Sequence, residues 1–121
     1  MLFVLQHHES QHPHYDFRLE RGGRLVSWAL PKGLPAHVDE RKLAVRVPDH
    51  ELSFATFEGE IPAGQYGAGT IRIVDSGTYD CELWTERRIV VRLYGRSGSV
   101  VLAMVPFKHG KPREWLAIRV S

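Results

Sequence analysis

Four side chains near the start of the chain, His8, His14, Asp16 and Arg18, are of the types that hold a metal and an anion together. Two neutral imidazoles and a carboxylate form a ligand set for Mn, Fe, Co or Zn that leaves coordination positions open to water or substrate. A guanidinium beside them has no task in a purely structural metal site. It suits an anionic substrate, because it grips phosphate or carboxylate as a fork. The local pattern lets these groups converge. Along 14–19 the residues alternate, with Tyr15, Phe17 and Leu19 on one face and His14, Asp16 and Arg18 in a row on the other. In 3–8, Gln6 and His8 share one face, and Leu5 and His7 share the other. If the two segments pair, His8 meets His14 and Asp16. His7 and His12 read as surface residues.

The elements that must position this group are short β segments punctuated by Gly and Pro. After 3–8 and 14–20 come 24–30, 42–47, 69–75, 78–84, 88–94, 99–107 and 114–120. The pair Gly22-Gly23 suits a hairpin turn that needs positive φ. A weak helical segment is expected around 36–42. Regularly spaced strands with turn signals between them predict a mainly β fold, a sandwich or closed barrel of roughly eight strands with little helix. The Gly-rich stretch "EGEIPAGQYGAGT", 58–70, is long for a loop in a compact domain, and loops of that length often carry function. No clear helix follows it, so it reads as a tight structural crossing rather than a phosphate cradle.

Composition narrows the field without naming a function. The 121 residues fit one domain, 1–121, large enough for a small core. A formal charge of +2 is too small to declare a nucleic-acid partner and permits one only if basic residues gather on one face. No apolar run approaches the ~20 residues of a membrane span. The start lacks the basic and apolar regions of a signal peptide. Cys81, the one cysteine, has no partner for an internal disulfide and reads as a packing residue. A reducing, cytoplasmic setting and a monomer are expected.

At this point the motifs carry a family. "FVLQHHESQHPHYDFRLE" resembles the 3′-phosphoesterase domain of bacterial DNA ligase D, the multifunctional ligase of non-homologous end joining, and its stand-alone archaeal and bacterial versions. "SWALPKG" (27–33), "VPDH" (47–50), "FEGEIPAGQYGAGT" (57–70) and "WLAI" (115–118) extend the resemblance over essentially the whole chain. The resemblance implies a compact β-barrel and manganese-dependent repair of 3′ ends at DNA or DNA/RNA primer–templates. A terminal 3′-ribonucleoside is removed to leave a 3′-phosphate, which is then hydrolysed to a 3′-hydroxyl. One divalent ion is implied, Mn²⁺ first, with Co²⁺ or Zn²⁺ as alternatives. Its ligands fall on His8, His14 and Asp16. Phosphate-contacting and catalytic groups fall on Arg18 and His50, with Lys32 and Lys42 in support, and Gln6 helps around the metal. His50 would contact the phosphate or protonate the leaving oxygen. An ATP-dependent ligase or a polymerase acting in trans is the implied partner.

The chain departs from the family pattern in three places. Phe54 stands where a tyrosine is usual, Pro48 where an acidic residue is common, and the sequence starts almost at the first strand, without a polar lead-in. These departures bear on ribonucleoside removal more than on the phosphatase step. Two other readings compete. His14-x-Asp16 with a distant His50 also matches the facial triad of a cupin-like non-haem iron oxygenase. A barrel that only binds nucleic-acid ends, stacking bases on its aromatics, is the non-catalytic alternative.

Overall fold

The computed structural model describes all 121 residues. Nine strands follow one another: β1 (Leu2–Glu9), β2 (His14–Arg21), β3 (Arg24–Leu30), β4 (Arg41–Glu51), β5 (Gly59–Ile61), β6 (Gly69–Trp84), β7 (Ile89–Gly95), β8 (Gly98–Pro106) and β9 (Glu114–Arg119). Eight of them run antiparallel in the order β1-β2-β3-β4-β9-β8-β7-β6, and β6 pairs back onto β1. The sheet thereby closes into a barrel and leaves few free edges to manage. The short β5 adds to the first residues of β6, outside the closed wall.

The expected mainly β barrel is what the chain forms. The period-two pattern read from the sequence becomes the two sides of the wall. Phe3, Leu5, Phe17, Leu19, Val26, Trp28, Leu30, Ala44, Tyr79, Val91, Leu102, Met104 and Ala117 fill the interior. Phe17 stacks on Trp28 with ring centroids 6.2 Å apart, and Trp115 meets Trp28 edge-on at 5.7 Å. Gly22 and Gly23 make the β2–β3 turn with φ of 60° and 79°, as a two-residue hairpin demands.

Two local expectations are corrected. The segments 69–75 and 78–84 are one strand. Ser76-Gly77 reads as a turn in sequence, but the strand runs through it and changes partner there, from β1 to β7. The segment 36–42 is not helical. Its backbone bends, with Asp39 at φ 70°, and the Glu40 carboxylate accepts the amides of Ala36 and His37. The only helix is a 3₁₀ turn, Leu52–Thr56, which the sequence did not announce.

Candidate active site

The outer face of β1, β2 and β3 is as informative as the inner one. Val4, Gln6 and His8 project outward from β1, and their neighbours are His14, Asp16 and Arg18 on β2, then Leu25, Ser27 and Ala29 on β3. An outer wall of this kind is ordinarily wet. Here Val4, Gln6, Leu25 and Ser27 are fully buried, because the 3₁₀ helix, β5 and the loop 62–68 fold over them. A small second core, Val4, Leu25 and Ala55 with Phe54 and Ile73, holds this cover in place. The result is a cavity of about 430 Å³ on the outside of the barrel, lined by the polar His8, His14, Asp16, Arg18 and His50 and by the apolar Val47, Phe54, Ile61 and Ile71.

Register explains the convergence of the first three. His8 is directly opposite His14 in the β1–β2 ladder, and Asp16 is two residues further along the same face. One donor atom from each of His8, His14 and Asp16 lies within 4.8 Å of the others. The second nitrogen of each ring is already committed. His8 Nε2–H donates to the carbonyl of Gly67 at 2.9 Å, and His14 Nδ1–H donates to that of His12 at 2.9 Å. Those bonds fix the tautomers, so that His8 Nδ1 and His14 Nε2 turn their lone pairs toward Asp16, 3.8 and 3.2 Å from its oxygens. This is the outer-sphere arrangement that orients metal-ligating histidines. The donor set, two oriented imidazoles and a buried carboxylate, fits a divalent ion. The hydrogen bond to Asp16 raises the His14 pKa above its ordinary value, against the opposing effect of burial.

Arg18 is 3% exposed, and its guanidinium links the other groups. Nη2 is 3.6 Å from Asp16, Nε donates to Gln6 Oε1 at 2.8 Å, and Nη1 reaches His50 Nδ1 at 3.1 Å. Burial lowers its pKa, Asp16 opposes the change, and an arginine remains charged. His50 Nδ1 is also 3.1 Å from the carbonyl of Pro48, a contact that asks for the opposite tautomer. A guanidinium cannot accept, so Nδ1 accepts from Arg18 and the ring proton sits on Nε2. Burial, and then Arg18, lower the His50 pKa, which keeps the ring neutral at pH 7.

His50 reaches this face through a bulge. Val47 faces Ser27 and projects outward, and strict alternation would turn a residue three positions later inward. The β3–β4 register shifts between Leu25 and Ser27, leaving Pro48 and Asp49 opposite one residue, and His50 returns to the outside opposite Leu25. Pro48 is tolerated where the ladder is already interrupted.

Other expected site residues are placed differently. Lys42 pairs with Ala117 and so lies on the inner-facing register of β4, with its ammonium 3.5 Å from Glu40. It does not line the cavity, because no bulge intervenes to change its parity. Lys32 is exposed in the turn after β3, beyond the rung that pairs Tyr15 with Leu30. It is at His14's end of the wall but not in the cavity lining. Gln6 does not line the cavity. It is fully buried, gives both amide hydrogens to the carbonyls of Phe54 and Phe57 at 3.0 Å, and accepts from Arg18. Its task is to tie the 3₁₀ cover to the guanidinium. His7 turns inward, against the edge of Tyr15 at 4.7 Å, while His12 is exposed. His50 stands apart from the three converging donors and bonds to Arg18, so the expected grouping of His14 and Asp16 with His50 is not assembled.

Two contributors have weak sequence signals. Phe54 packs under Arg18, 4.9 Å from guanidinium carbon to ring centroid, and stacks on Phe57. Gly67 supplies the carbonyl that orients His8. Only the length of the Gly-rich loop pointed to the latter. The same loop makes the close crossing its glycines suggested, since a Cβ at Gly69 would stand 2.1 Å from the carbonyl oxygen of Glu9.

The model of the DNA ligase D 3′-phosphoesterase domain matches residues 6–104, a span that contains every residue of this cavity. The chain belongs to this family. It is 47% identical over 123 aligned residues to the multifunctional non-homologous end joining protein LigD of Mycobacterium bovis, covering 98% of this chain and 16% of that protein. The LigD of Mycolicibacterium smegmatis is 40% identical over 130, covering 98% of this chain and 17% of its own length. That of Pseudomonas aeruginosa is 48% identical over 77, covering 64% of this chain and 9% of its own length. The chain thus spans about one sixth of the length of the mycobacterial relatives.

Proposed function

We propose that this chain is a metal-dependent phosphoesterase that heals DNA 3′ ends, removing a terminal 3′-phosphate to leave a hydroxyl for repair and end joining. The observation that carries the reading is the pair of oriented lone pairs on His8 and His14, aimed at Asp16 beside a buried guanidinium in one cavity. His8 Nδ1, His14 Nε2 and Asp16 would hold the ion, Mn²⁺ first and Co²⁺ or Zn²⁺ as alternatives. When bound, the ion supplies Lewis-acid polarisation of a phosphoryl oxygen and an acidified water.

The chain's own groups do the rest. Arg18 sets a fixed positive charge against the phosphoryl oxygens and needs no reorganisation as negative charge builds, because Gln6, Asp16 and Phe54 already hold it. His50 offers Nε2–H to the phosphate. Its neutral state at pH 7 favours hydrogen-bond donation over full proton delivery to the leaving oxygen. Lys32, exposed in the turn after β3, would add charge at the cavity mouth when an end is bound. Lys42 contributes no contact to the reaction.

Removal of a terminal ribonucleoside is the weaker activity. Phe54 gives the cavity wall a ring without a hydroxyl donor, and loss of such a donor costs about 1–3 kcal/mol. The substrates proposed are DNA or DNA/RNA primer–template 3′ ends, handled by a monomer in the cytoplasm that passes the healed end to a ligase or polymerase.

The test is a 5′-labelled primer–template carrying a 3′-phosphate or one 3′-ribonucleotide, incubated with Mn²⁺, with His14→Ala as control. Loss of the phosphate with the unmutated protein alone sustains the proposal. No change at either end, with DNA still bound, replaces it with an end-binding module.

A further inference from the structure

A phosphate needs only the polar lining of the cavity. Phe54 supports Arg18, but Val47, Ile61 and Ile71 and the rim have no task in gripping an anion. Tyr66 stands at that rim. It is 92% exposed, far more than any other aromatic side chain of the protein's core or cover, yet it lines the same cavity as His14, Asp16 and Arg18. A tyrosine so exposed gains nothing by packing.

Its backbone, in contrast, is fixed. Gln65 N–H donates to the Pro62 carbonyl and Ala68 N–H to that of Gln65, so Tyr66 sits within two consecutive turns. The next residue, Gly67, gives its carbonyl to His8. The ring is thus free at its tip and anchored at its base to a residue of the metal-binding cluster. A flat, uncommitted π-face held beside an anion site is the geometry of a base-stacking platform.

We propose that Tyr66 stacks on the base of the 3′-terminal nucleotide while its phosphate reaches Arg18 and His50 in the cavity. The inference rests on the phosphoesterase reading and adds how an end is told from an internal phosphate. Within a strand each base is covered on both faces by its neighbours, whereas the terminal base has one face uncovered on its own strand. Tyr66 meets that face only at an end. Stacking tolerates any base, so the terminal sequence matters little. Tyr66 is a positioning residue and the reacting atoms are met by others.

The experiment compares the full chain with Tyr66→Ala and Tyr66→Phe on two 3′-phosphate primers, one ending in a normal nucleotide and one in an abasic sugar. Tyr66→Ala should raise KM about tenfold on the normal end with little change in kcat, and Tyr66→Phe should restore it. The abasic end should show no dependence on residue 66. A second readout needs no turnover: a terminal 2-aminopurine, titrated without metal, should be quenched by the unmutated protein and by Tyr66→Phe but not by Tyr66→Ala. Equal loss on the abasic end, loss in Tyr66→Phe, or quenching that survives in Tyr66→Ala overturns the proposal. If the unmutated protein leaves the 3′-phosphate intact, the phosphoesterase reading fails, and the fluorescence alone still decides the role of Tyr66.

Discussion

The inside of the barrel and its covered outer face are built from the same strands, yet they obey different rules. Inside, Phe17, Trp28 and Leu102 exclude water and are worth what their apolar area is worth. Outside, Asp16 and Arg18 are as deeply buried, but their burial is favourable only because each answers another's charge or hydrogen bond. Asp16 and Phe17 are adjacent in sequence and separated by the thickness of one sheet. The lesson is that strand alternation lets a small domain hold its stability and its chemistry on opposite sides of one wall.

The sharpest way to break the comparison is to substitute those two neighbours. Phe17→Ala should cost about 3–5 kcal/mol in urea unfolding and leave the metal affinity of the folded protein unchanged. Asp16→Asn should reduce Mn²⁺ binding, read by calorimetry, and turnover to background while the protein stays folded. If Phe17→Ala abolishes metal binding in protein that is still folded, the two sides are not separate.

Gln6 tests whether the outer face is a connected network. Gln6→Leu keeps the volume but releases Arg18 and the 3₁₀ cover. Turnover should fall by up to about 100-fold through misplacement of Arg18, with metal affinity nearly unchanged. An equal fall in metal affinity would show that the ligands, too, depend on the cover.

Acidity separates His14 from His50, two of the three histidines of the outer face, in metal-free protein. His14 has its pKa raised by Asp16, so its stabilising contribution is whole below the unfolded value and is lost as pH rises through the folded one. His50 has its pKa lowered by burial, so its contribution is present above the unfolded value and is lost as pH falls through the folded one. Denaturation between about pH 5 and 8 should therefore lose its alkaline-side decline in His14→Ala and part of its acid-side decline in His50→Ala. Identical profiles for the two variants would refute these assignments. The smallest effect is expected on the inner register of β4, where Lys42→Ala should change turnover by less than about twofold, since surface pairs such as Lys42–Glu40 carry little. A large loss would place Lys42 in the reaction after all.

Much of this was legible in the residues, and the failures have physical causes. Alternation in 3–8 and 14–19 was enough to set His8, His14 and Asp16 on one face, because both strands are regular there and the loop between them is short. Parity alone could not place His50, since a bulge is a property of two strands and leaves no mark on one. Lys42 was expected from the family resemblance alone, and alternation in β4 places it on the inner register instead. The 3₁₀ turn and β5 were missed because five and three residues are too few to show a period. Gln6 lay on the right face, but its partners are carbonyls 48 and 51 residues away, and no side chain announces a carbonyl. Ser76-Gly77 resembled a turn because glycine is common in turns, whereas here a Cβ at Gly77 would collide with the Tyr94 carbonyl.

The β1–β2 hairpin has a consequence for how the molecule comes into being. All three candidate metal donors lie within residues 8–16, joined by the four-residue loop 10–13, whereas closing the barrel requires β1 to find β6 some 60 to 75 positions later. Local pairing forms early, and distant pairing waits on the entropy of a long loop. An isolated hairpin is marginal in water, but one that can grasp an ion gains binding free energy that its strands alone lack. The ion would then act as a folding nucleus, recruited by the β1–β2 hairpin before the barrel closes. The refolding rate, and not only the final stability, would rise with Mn²⁺.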